Sequence, residues 1–80
     1  MPITYYVIVL FDRDAEGDLK PGEGREVPSS QAAIRAARSS VIGHSGAVAF
    51  SRTGDTATGE FEDAVILAQF GEVDLDALSG

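Results

Sequence analysis

The sequence contains no cysteine. That removes disulfides, thiolate zinc sites, thiol nucleophiles and redox relays from consideration. It also lacks any run approaching the ~20 apolar residues needed to cross a bilayer. The opening stretch, MPITYYVIVLF, is apolar but has no basic leader and no small-residue cleavage site. It passes straight into Asp12, so a secretory signal is not expected and the cytoplasm is the default location. Acidic residues are missing between positions 27 and 54, and lysine and arginine are missing from 55 to 80. The three thirds of the chain therefore carry about −3, +3 and −7, and a basic middle is expected to sit near an acidic end. Only one histidine, His44, is available for acid–base work.

What is present is an acidic chain of 80 residues with a formal charge of −7. One domain of this size buries only about 60–65% of its unfolded surface, so its core is thin. Many such domains add a metal or a second subunit. The acidic surface repels phosphate backbones, which argues against nucleic acid and anionic membranes as partners.

Ile3–Phe11 is rich in β-branched and aromatic residues and reads as a strand. One of its faces carries Ile3, Tyr5, Val7, Val9 and Phe11; the other carries Thr4, Tyr6, Ile8 and Leu10. A strand with one wetted face alternates apolar and polar residues, so this one is expected at the centre of a sheet, covered on both sides. Residues 12–24, DRDAEGDLKPGEG, have the composition of a loop, with Arg25–Val27 as a short edge strand. Pro28-Ser29-Ser30 then leads into QAAIRAARSSVI and stops at Gly43, which predicts an N-capped helix with Ala33, Ile34, Ala37 and Val41 on one stripe. Gly46–Arg52 reads as the next main strand, Thr53–Gly59 as a hairpin turn, and Phe61–Phe70 as a further strand. Residues 71–80 form a polar tail.

The expected fold is a single α+β domain, order β-(β)-α-β-β, with a three- to four-stranded, mainly antiparallel sheet and one helix on one face. One helix covers one face, yet two strands are apolar on both. A homodimer through the uncovered face is therefore expected, with Tyr6, Ile8, Leu10, Ile66 and Phe70 as interface candidates. The competing arrangement folds the 12–24 segment and the tail over that face.

The sharpest motif is Asp12–Glu23, DRDAEGDLKPGE, which follows the spacing of an EF-hand calcium loop. Asp12, Asp14 and Glu16 fall at positions 1, 3 and 5, Gly17 at the sharp turn, Leu19 at the apolar position and Glu23 at the closing position. Its context departs from an EF-hand: it leaves a strand, and Pro21-Gly22 stand where the exit helix should begin. An acidic, solvated connection is the favoured reading, with calcium binding by Asp12, Asp14, Glu16 and Glu23 as the alternative. His44 beside Ser45, with Asp55 as orienter, would imitate a hydrolytic triad, but a histidine after a helix is favoured there by the dipole alone. Glu60, Glu62 and Asp63 offer carboxylates at a strand start without an apolar pocket around them. No phosphate-binding loop is found, so no cofactor is expected.

With YYVIVLFDRDAEGD, the S-x-x-A-A-x-x-A-A helix and GAVAFSRTGDTATGEFEDAVILAQFGEV in place, the chain resembles a family of short alphaproteobacterial proteins of unknown function. The resemblance implies a bacterial, cytoplasmic, stand-alone domain and brings no activity or site residues with it. YYVIVLFDRDAEGD and SSQAAIRAA also resemble the opening of antitoxin-type domains, whose usual ending is replaced here by the long hairpin. Together these readings point to a non-enzymatic protein-interaction module.

Overall fold

The computed structural model describes residues 2–78. Strand β1 (Ile3–Arg13) is central, with β2 (Leu19–Val27) on one side and β3 (Gly46–Asp55) on the other, both antiparallel to it. Beyond β3 lie β4 (Glu60–Phe61) and β5 (Val65–Gly71), which pair with opposite ends of β3. Helix α1 (Ser30–Ser40) connects β2 to β3, and a 3₁₀ turn spans Leu75–Leu78. This is the α+β arrangement expected from the sequence.

Two elements differ from the sequence reading. The segment expected to be loop through residue 24 is strand from Leu19 onward; only Asp14–Asp18 turns the chain. Pro21 is tolerated because β2 is an edge strand and its register against β1 shifts between Val9 and Phe11. Gly24 lies beneath the Val7 and Val9 side chains, where a Cβ would be crowded. The strand expected over 61–70 is split. From Gly54 to Ser51 is three steps on β3, whereas their partners Phe61 and Val65 are four apart. The surplus residue falls in the 62–64 segment between β4 and β5, which carries Glu62 and Asp63.

The helix begins where the sequence places it. Ser29 is the N-cap, its Oγ accepting from the Ala32 N–H at 3.1 Å, which satisfies one of the orphan donors of the first turn. Ala33 and Ala37 are fully buried against Ile8, Ala47 and Ala49. Alanine on both surfaces lets helix and sheet approach closely. Gly43, at φ +89°, ends the excursion in the left-handed conformation.

The helix covers the Tyr6–Ile8–Leu10 face, so the face offered by the sequence as free is the one that is filled. Strands β2 and β3 are parallel to each other across β1, and a crossover between parallel strands runs right-handed as a rule. Strand order therefore sets which face the helix takes. The apolar pattern of β1, equal on both sides, does not.

The second face has its own cluster: Phe11 and Val48 are fully buried and Val9 nearly so, with Val7, Leu19, Phe50 and Val73 packed around them. The C-terminal segment closes this end. Its Glu72 backbone passes directly over Gly46, where any Cβ would collide with it. The Glu72 N–H donates to the Ser45 carbonyl at 2.9 Å, and the Glu72 carboxylate pairs with Arg13. Part of the face opposite the helix is thus covered by the chain's own tail.

Candidate interaction surface

The acidic turn after β1 is built on Asp14. Its Oδ1 accepts from the N–H groups of Glu16 (2.9 Å) and Asp18 (3.0 Å), and its carbonyl accepts from Gly17. An aspartate that bonds the backbone ahead of it is a turn former. The arrangement brings carboxylate oxygens of Asp14, Glu16 and Asp18 within 4.8 Å of one another, all exposed. The sequence had offered Asp12 and Glu23 for this set and had not offered Asp18. Asp12 instead pairs with the His44 ring, Oδ2 to Nδ1 at 2.8 Å. Glu23 lies on β2, lining a groove with Ile8, Leu10 and Ser40. The loop is only five residues long, and the hairpin ladder carries Glu23 away from it.

His44 does stand at the helix exit, its N–H donating to the Val41 carbonyl at 2.9 Å. Asp55, the offered orienter, is at the far end of β3, roughly 30 Å away for a ten-residue strand. The histidine, Ser45 and Asp55 are therefore not brought together. Glu60, Glu62 and Asp63 are exposed. Glu60 and Glu62 line an open groove of about 350 Å³ with Pro2, Asp55 and Phe61.

Of the five interface candidates, Ile8 is buried under the helix, and Tyr6, Leu10 and Phe70 pack against the same cluster. Ile66 alone lies on an open surface, 38% exposed. Its register partner is Phe50, which places it on the second face, because directly paired residues share a face. There it adjoins apolar neighbours that the sequence reading left unassigned. Phe61, 45% exposed, lays its ring over Gly54, where a Cβ would overlap it. Tyr5 lies beside that ring at 6.5 Å between centroids, and the Arg52 guanidinium caps it at 5.6 Å. Val65 is 59% exposed but pairs with Ser51, which sets it on the opposite face from Ile66.

The signal for Phe61 was available in the sequence: an aromatic flanked by Glu60 and Glu62 is an apolar side chain on a strand end with nothing local to cover it. Phe61, Val65 and Ile66 all lie on the β3 side away from β1, along the β4–β5 margin. No protein family, curated protein or solved structure matches this chain.

Proposed function

We propose that this chain is a non-enzymatic protein-interaction module, acting in the cytoplasm, that self-associates through its sheet. The observation that carries the reading is the apolar pair Phe61 and Ile66, exposed on the second face of the sheet beside the half-buried Tyr5 and Phe50. Scattered surface apolar residues need no explanation, whereas a contiguous group marks an interaction site.

The shape of the molecule supports the same reading. Its accessible surface is 5205 Å², against about 4,600 Å² for an average monomer of 8.4 kDa. Its radius of gyration, 13.0 Å, exceeds the value of about 11.6 Å for a compact 80-residue domain. Both excesses describe an extended molecule with much of its sheet exposed, and a second subunit would bury part of that surface. Among the described residues no helix is long and apolar enough to cross a membrane.

Sedimentation equilibrium at micromolar concentration tests the reading. The expected mass is that of two chains, and Ile66→Asp is expected to reduce it to one. Ile42→Asp is the control, because Ile42 is the most exposed large apolar residue at 82% yet lies at the helix exit. A wild-type chain that sediments as a monomer overturns the proposal.

A further inference from the structure

We infer that the self-association proposed above, on which this inference rests, joins two copies edge to edge, with β5 pairing antiparallel to the β5 of the partner subunit across a two-fold axis. The sheet has two edges, and they are unequal. The β2 edge carries Pro21, which has no N–H to donate, together with Lys20, Glu23, Arg25 and Glu26. Proline and charge are the devices that keep an edge strand from pairing. Strand β5, VILAQFG, has neither. Among the described residues nothing pairs with its outer side. A register shift opposite Ala49 and Phe50 interrupts its inner ladder, leaving Ala68–Gly71 and Val65–Ile66 as the regular runs.

Charge selects a second copy as the occupant. A chain at −7 repels itself over most of its surface; β5 is a place where two copies meet without like charges opposed. The flanks of β5 are also complementary to each other. Gln31, Ile34, Arg35 and Arg38 form one stripe of α1 and line a common groove. The Arg38 guanidinium lies 5.9 Å over the Phe70 ring, which sets Arg38 beside the C-terminal end of β5. At the other end, Glu62 and Asp63 lead the chain towards Val65. Among the described residues no carboxylate is within ion-pair distance of Arg35 or Arg38, and no cation is within that distance of Glu62 or Asp63. An antiparallel two-fold sets the Phe70 end of each strand beside the Val65 end of the other. Both unpaired sets then meet opposite charge, twice. Parallel pairing would align like with like.

The absence of cysteine allows a single label to report the geometry. Gln69→Cys places a nitroxide on exposed mid-β5, and Lys20→Cys places the control on β2. Strand spacing of about 4.8 Å and a rise of about 3.3 Å per residue keep the two copies of position 69 within about 15 Å for slips of up to two residues. The expected result is a two-chain mass, a short spin–spin distance for position 69 and a long one for position 20. Asp63→Arg and Arg38→Glu are each expected to weaken the dimer several-fold, and the double variant to recover most of that loss, because the swap restores opposition. A monomeric wild type overturns this inference together with the reading it rests on. A two-chain mass with distant position-69 labels, or a double variant no tighter than the single ones, overturns edge pairing alone and leaves self-association standing.

Discussion

Phe11 and Phe61 lie on the same face of one sheet, yet the first is completely buried and the second is 45% exposed. The helix covers neither. What separates them is the route of the chain after β5. At Gly71 the backbone turns with φ +68° and runs across Gly46, bringing Val73 onto the Phe11–Val48 cluster. Nothing equivalent crosses the other end, where Tyr5, Phe50, Phe61 and Ile66 are left partly or largely open. A short tail can close about half of a sheet face, and in this molecule that half is the one next to the acidic turn. The remaining half is where a second subunit has something to gain.

The contrast can be broken most forcefully at its two aromatics. Phe11→Ala is expected to destabilise the fold by about 3–5 kcal/mol, because it empties a filled core position. Phe61→Ala is expected to lower monomer stability by about 1 kcal/mol or less, with its main effect on association, since half of its ring already meets water. Urea denaturation of both variants below the association range measures the difference. Equal losses would show that the open end is packed as firmly as the sealed one.

The glycines beneath each end give a smaller, sharper version. Gly46→Ala forces a Cβ into the Glu72 backbone, and the tail must lift; a loss of about 1–3 kcal/mol is expected from overpacking of this kind. Gly54→Ala meets only the Phe61 ring, which can swing into solvent, so the loss should be well under that. Hydrogen exchange at the Glu72 amide, which bonds to Ser45, is expected to accelerate in the first variant alone. The smallest effect belongs to the ion pair that pins the tail. Arg13 and Glu72 are about half exposed, and breaking an exposed pair by Arg13→Gln is expected to change stability by about 0.5 kcal/mol or less.

Much of this architecture was legible in the sequence, and its omissions have physical causes. Ser29, the alanine stripe and Gly43 defined the helix because capping and periodicity are local properties. The double-faced apolar pattern of β1 correctly announced a central strand. It could not say which face the helix would take, since that depends on strand order and crossover handedness. The β2 strand was hidden by Pro21 and two glycines, residues that usually break ladders but are admissible at an edge with an irregular register. The candidate ligands of the acidic loop were chosen by spacing, and spacing cannot tell that Asp12 finds His44 across the turn or that a ladder removes Glu23. The open margin was half visible: Ile66 was named, whereas Phe61 shares its face only because of the surplus residue between β4 and β5.

The central position of β1 also orders events in time. Its ladder with β2 joins residues 6 to 21 positions apart, and those of β3 with β4 and β5 join residues 5 to 25 apart, whereas the β1–β3 ladder joins Ile3 to Gly54 and Phe11 to Gly46. Local hairpins close in about 1–10 μs, and pairings distant in sequence wait for the chain between them to be drawn in. The chain is therefore two hairpins that zip locally and a single seam that commits the fold. Until that seam closes, the apolar side chains of β1 and β3 are exposed together.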